Sequence, residues 1–170
     1  MPHPILLYDG MCGLCNRFVQ FVLRHDPGGV FRFASLQSPM AERIVQQHVG
    51  NSAGLATVYV VVDYELPGER LLSRLDAVIF VLKQLAAAAE LRLPGQAAAC
   101  PEPAEGAAVP ARPTPRPKRW RLAAKALELV PATLRDWGYG VVARNRYRIF
   151  GRYDSCLLPA PENRERFLDG

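Results

Sequence analysis

The chain has 170 residues, 49% apolar and 22% charged, proportions that suit one globular domain with an appendage and exclude both a globally disordered chain and two large domains. Its formal charge of +5 is unevenly placed: residues 112–152 hold 11 basic and 2 acidic side chains, residues 1–111 hold 8 and 10, and residues 153–170 hold 2 and 4. No run approaches the roughly 18 apolar residues that span a bilayer. Residues 1–10 lack the cationic start and apolar stretch of a secretory signal, so a cytoplasmic protein is expected.

Residues 5–8, Ile-Leu-Leu-Tyr, form an apolar run closed by Asp9-Gly10 and predict a buried strand entering a turn. Leu14, Phe18, Phe21 and Val22, joined by Cys15 and Val19, recur at helical spacing, and Asp26-Pro27-Gly28-Gly29 stops that helix. Residues 30–34 alternate about Arg32 and predict a second strand. Ser38 before Pro39 is a cap followed by a first-turn proline, so a helix is expected over 39–48, ending at Gly50. Residues 57–62 are β-branched and aromatic, which predicts the third strand. Leu66-Pro67-Gly68-Glu69 fits a type II turn leading into an antiparallel return over 70–72. Ser73 with Asp76 resembles a capping box before a helix whose stripe of Leu75, Val78, Ile79, Leu82 and Leu85 runs to about Glu90.

The expected order is therefore β-α-β-α-β-β-α over residues 1–93. Residues 94–118 hold seven of the fifteen prolines and Val109 as their single large apolar side chain, the composition of an extended linker or insertion. Order is expected to return over 119–170 as a basic helical extension packing on the core. Leu122, Ala126, Leu127 and Val130 suit one helix, and Thr133 with Asp136 suits the cap of a second bearing Leu134, Trp137 and Val141.

Two of the four cysteines, Cys12 and Cys15, form a C-x-x-C pair at the strand-to-helix junction, while Cys100 and Cys156 stand apart. That junction puts Cys12 at a helix N-terminus, where unpaired amides and the helix dipole favour an anion. Such placement lowers a thiol pKa, so Cys12 is the expected nucleophile and Cys15, one turn later on the buried side, the resolving thiol. Asp9 completes a D-x-x-C-x-x-C pattern. Its carboxylate either accepts the Cys15 proton during resolution or hydrogen-bonds the turn amides. A zinc site needs two further ligands, and His3, His25, His48, Cys100 and Cys156 show no second ligand spacing.

The run Tyr8-Asp9-Gly10-Met11-Cys12-Gly13-Leu14-Cys15-Asn16, with Phe33-Ala34-Ser35-Leu36-Gln37, Asp76-Ala77-Val78 and the stretch from Ala143 through Arg144, Asn145, Arg146, Tyr147 and Arg148 to Arg152, resembles the DCC family of thiol-disulfide oxidoreductases. The resemblance covers most of the chain outside 94–118. It implies an α/β, thioredoxin-like fold and redox chemistry at Cys12 and Cys15. Thioredoxins also carry a cis-proline before the third strand, where this chain has Leu55-Ala56-Thr57, so substrate binding of that kind is not expected.

The basic segment admits two uses. Its arginines and aromatics can form a packed, solvated appendage, or a surface for an anionic membrane; nucleic acid is the less favoured partner because no recognised motif is present. Arg144, Arg146 and Arg148 are candidates to line the cysteine site together with Tyr8, Gly10 and Gly13. The leading expectation is a thiol-disulfide oxidoreductase acting on a protein or small-molecule thiol or disulfide, with no cofactor and no metal. The alternative is a non-catalytic thioredoxin-like binding module whose basic segment engages a membrane, protein or nucleic acid.

Overall fold

The computed structural model describes residues 3–50, 58–91, 117–153 and 161–168. Residues 94–116 of the proline-rich segment, with Cys100, the stretch before the third strand and Cys156 lie outside the described residues, whereas residues 117 and 118 already belong to a helix.

Four strands, β1 (Ile5–Tyr8), β2 (Arg32–Ser35), β3 (Tyr59–Val62) and β4 (Arg70–Ser73), form one mixed sheet of order β2-β1-β3-β4. β1 runs parallel to β2 and antiparallel to β3, which pairs antiparallel with β4. Helices cover both faces, which is why β1 reads as a continuous apolar run rather than an alternating one. Leu6, Tyr8, Phe33 and Val60 face α1 (Gly13–His25) and α3 (Arg74–Glu90), whereas Ile5, Leu7, Ala34 and Val61 face α2 (Pro39–Val49). The β-α-β-α-β-β-α order matches expectation, and the architecture is compatible with a thioredoxin-like α/β fold.

Local chemistry fixes several boundaries. Ser38 caps α2 by accepting the Ala41 N–H at 3.3 Å. The predicted turn closes with Glu69 N–H donating to Leu66 O at 3.1 Å, and Gly68 takes the φ of 110° that a type II turn requires. β2 begins at Arg32 rather than residue 30, because the buried Asp26 carboxylate accepts the Val30 and Phe31 amides at 3.0 and 2.9 Å and holds them in the loop.

Two predicted caps are not formed. Ser73 precedes α3 without a side-chain cap bond, and Asp76 instead accepts from Arg135 at 2.9 Å. The last two helices are α4 (Pro117–Leu129) and α5 (Ala132–Phe150). Pro131 occupies the N-cap of α5, so Thr133 is already helical, and Asp136 meets Arg74 at 3.4 Å. α4 packs along α3, while α5 contacts α1 and α3. The expected apolar stripe of α4 is also rotated: Trp120, Ala124 and Leu127 turn inward, with Trp120 against Phe21 and His25, whereas Leu122 and Ala126 face solvent. A 3-10 helix, Pro161–Arg166, then returns the chain to β2.

Candidate active site at the cysteine pair

β1 ends at Tyr8, the chain turns through Asp9-Gly10-Met11, and α1 starts at Gly13 with Cys12 as its N-cap in extended conformation. The turn is held by Cys12 N–H to Asp9 O at 3.1 Å and by the Asn16 amide, whose Nδ2 donates to Gly10 O at 2.7 Å and to Cys12 O at 3.2 Å. Cys12 is fully buried and Cys15 nearly so; both are free thiols.

Their electrostatics diverge. A hydrogen bond from the Cys15 thiol, the N–H groups of Cys15 and Leu14 and the charge of Arg146 together outweigh burial and lower the Cys12 pKa from the ordinary 9.0 to about 6. The same hydrogen bond, burial and the neighbouring sulfur charge raise that of Cys15. One sulfur is set up as a thiolate and its partner as the proton-bearing donor, the asymmetry expected of a helix N-terminal pair.

Asp9 lies behind this turn, buried. Oδ1 accepts the Met11 N–H at 3.1 Å and Gln37 Nε2 at 3.0 Å; Oδ2 accepts Arg146 Nη2 at 3.0 Å and the Tyr147 hydroxyl. Burial opposes ionisation, but the bonds from Tyr147, Gln37 and Met11 and the charge of Arg146 outweigh it, so the carboxyl pKa is lowered. Of the three arginines named from sequence, Arg146 alone makes this contact and is buried. Arg144 and Arg148 fall on the exposed side of α5.

The end of α5 covers the pair. Gly13 N–H donates to Gly151 O at 3.2 Å, Tyr153 N–H donates to Met11 O at 2.9 Å, and Cys12 and Arg152 form an antiparallel bridge. Gly13 makes this approach possible: a Cβ there would stand 2.1 Å from Phe150 O. Of the other expected lining residues, Gly10 donates its N–H to Gln37 Oε1 at 3.2 Å, and Tyr8 packs edge-on against Phe167. Among the described residues, no group of three or more His, Cys, Asp or Glu side chains is placed to hold a metal ion.

A profile of the DCC1-like thiol-disulfide oxidoreductase family matches residues 6–100. The uncharacterized protein YuxK of Bacillus subtilis (strain 168) is 31% identical over 175 aligned positions, which cover 99% of this chain and 96% of that protein. The chain belongs to the DCC1-like thiol-disulfide oxidoreductase family. The DCC family protein At1g52590, chloroplastic, of Arabidopsis thaliana is 29% identical over 156 positions, covering 92% of this chain and 70% of that protein. No solved structure matches the chain.

Membership of the DCC1-like family supports a redox role. The sequence expectation for the site omits Asn16, Gln37 and Tyr147, which complete the hydrogen-bonding around Asp9 and the turn. A usable signal exists for Gln37: β1 and β2 are parallel with Tyr8 opposite Ser35, so the second residue beyond Ser35 falls beside Gly10. Tyr147 carries no comparable local signal, since its partner is 138 residues away.

Proposed function

We propose that the chain is a thiol-disulfide oxidoreductase that cycles Cys12 and Cys15 between dithiol and disulfide. The observation that carries the reading is the convergence of the Leu14 and Cys15 amides and the Cys15 thiol on the Cys12 sulfur, with its pKa lowered to about 6. Near neutral pH such a sulfur is mostly thiolate, the form that attacks disulfides.

In the reducing direction the Cys12 thiolate attacks one sulfur of a substrate disulfide. A Cys12–substrate disulfide forms and the other substrate sulfur leaves as a thiolate. Forming that bond removes the negative charge from Cys12, and with it two of the causes that raise the Cys15 pKa. Cys15 then loses its proton to the departing thiolate or solvent and attacks Cys12 Sγ. The second substrate thiolate is released, and two electrons have passed from the pair to the substrate; oxidation of a dithiol is the reverse. Asp9 serves here as an anchor for the turn and for Arg146 rather than as the proton acceptor, because four donors already occupy its carboxylate. Substrate reaches Cys12 only when the main chain from Phe150 to Tyr153 moves off the pair.

The test is a Cys15→Ser chain, also lacking Cys100 and Cys156, offered a mixed aromatic disulfide. A stable adduct on Cys12 is expected, and in the chain that keeps Cys15 the rate of attack should titrate near pH 6. No adduct in the first chain, or a rate in the second that titrates near the ordinary thiol value, overturns the mechanism. We further assign the chemistry to the cytoplasm, where thiols are kept reduced. The Arabidopsis relative is chloroplastic by name, so localisation of a tagged chain is the check.

A further inference from the structure

α4 runs along α3, whereas α5 lies across the N-terminal ends of α1 and α3, and each turns apolar side chains away from the core. In α5 the inward face carries Tyr139, Arg146 and Phe150. At ~100° per residue, Leu134, Trp137 and Val141 lie on the opposite side, and Arg144 and Arg148 continue the same ridge. Trp137 is 67% exposed, and in α4 Leu122 and Leu129 are 70% and 87% exposed. Amphipathic side chains are thus presented to solvent by helices whose inner faces are already satisfied.

The charge on these two helices is one-sided. Their two acids, Glu128 and Asp136, are paired with Lys83 and Arg74 of α3. Lys118, Arg119, Lys125, Arg144 and Arg148 have no acidic partner among the described residues. A second copy docked symmetrically would set these cations against their own images. A nucleic acid would satisfy the arginines but leave Leu134, Trp137 and Val141 against phosphate. A surface that offers both anionic headgroups and acyl chains satisfies both sets, with tryptophan at the boundary.

We propose that the outer face of α5 docks on an anionic lipid bilayer, with Leu134, Trp137 and Val141 entering the headgroup boundary and Arg144 and Arg148 meeting lipid phosphates. No helix among the described residues is long and apolar enough to cross a membrane, so the contact is peripheral. It places the end of α5, which covers Cys12, at the membrane surface. The proposal does not rest on the redox reading.

The experiment uses the full chain and vesicles of phosphatidylcholine with or without phosphatidylglycerol, in co-sedimentation at low salt. Retention on the anionic vesicles alone is expected, and a Cys12→Ser, Cys15→Ser chain should bind equally, which separates this proposal from the thiol chemistry. The Arg144→Gln, Arg148→Gln chain should bind about thirtyfold more weakly, at roughly 1 kcal/mol per cation near such a surface. In a Trp120→Phe chain, Trp137 is the sole tryptophan; its emission should shift to the blue and be quenched by brominated acyl chains. Absence of retention, or retention indifferent to the arginine substitutions, overturns the proposal. So does a dimer abolished by Leu134→Gln, Trp137→Gln without vesicle binding, or preferential capture by an oligonucleotide.

Discussion

Replacing Gly13 by alanine separates two opposing effects at the cysteine pair. Gly13 is the first residue of α1, and considered locally alanine should help, by up to about 1 kcal/mol through helix propensity and a less disordered unfolded chain. The tertiary contact opposes this. The new Cβ would stand 2.1 Å from Phe150 O and 3.0 Å from Phe150 C, backbone atoms that no rotamer change can remove. Relief needs a withdrawal of about 1 Å toward an ordinary contact distance. That movement stretches the Gly13–Gly151 and Tyr153–Met11 bonds and the Cys12–Arg152 bridge. Each bond contributes about 1 kcal/mol net, and forced overpacking costs about 1 to 3 kcal/mol. We expect Gly13→Ala to be less stable by about 1 to 2 kcal/mol, with Cys12 labelled faster by a factor of roughly 5 to 30 if the loss falls on the covering segment. Urea unfolding and iodoacetamide labelling followed by mass spectrometry, in a chain lacking Cys100 and Cys156, measure both. A variant as stable as the parent with unchanged labelling would refute the packing argument.

Labelling of Cys12 should titrate near pH 6, and Arg146→Gln should move that midpoint upward, because it removes a charge that favours the thiolate. The lowered Cys12 pKa also makes stability depend on pH: its contribution is fully present above the ordinary thiol value of 9.0 and is lost as pH falls through about 6. Urea unfolding should therefore show stability rising with pH above about 6, the slope approaching about 1.4 kcal/mol per pH unit between pH 7 and 8, a slope absent from Cys12→Ser. Asp9→Asn should destabilise by about 3 to 5 kcal/mol, since it leaves the buried Arg146 charge without its counterion; equilibrium unfolding checks this, and a loss near zero would deny the ion pair its anchoring role. Gln37→Ala removes one neutral donor from the same carboxylate and should cost about 1 kcal/mol by the same measurement.

What the sequence made legible follows the range of the interactions involved. β1 and α1 agree with expectation because an apolar run, a turn pair and a helical stripe act over a few residues. Ser38 capping α2 is equally local. The failed caps show the opposite case: Asp76 sits where a capping carboxylate belongs, yet Arg135 claims it from another helix, and α5 takes Pro131 as its N-cap, ahead of the expected Thr133–Asp136 cap, leaving Asp136 to pair with Arg74. The placement of the C-x-x-C pair at the start of α1 was readable from the sequence around Cys12 and Cys15. The burial of Cys12 was not, because its cover comes from Phe150 to Tyr153, and the Arg146–Asp9 contact spans 137 residues. Periodicity located α4 and placed Leu127 inward, but assigned Leu122 and Ala126 to the buried side where Trp120 and Ala124 stand.

The return of the chain to β2 covers one edge of the sheet. β2 is an edge strand, and an uncovered edge offers its amides and carbonyls as a template for strands of other chains. Here Leu168 N–H takes Phe33 O at 2.9 Å, and the Arg166 guanidinium takes Phe31 O while pairing with the fully buried Asp26. Phe167 stacks on the Phe33 ring at 5.1 Å, closing the apolar side of the same edge. The last turn thus works as a stopper on sheet growth. Chains shortened ahead of residue 161 should retain the cysteine pair but accumulate as β-rich aggregates, so a solubility defect in a C-terminal truncation would report a bared strand edge rather than damage to the thiol site.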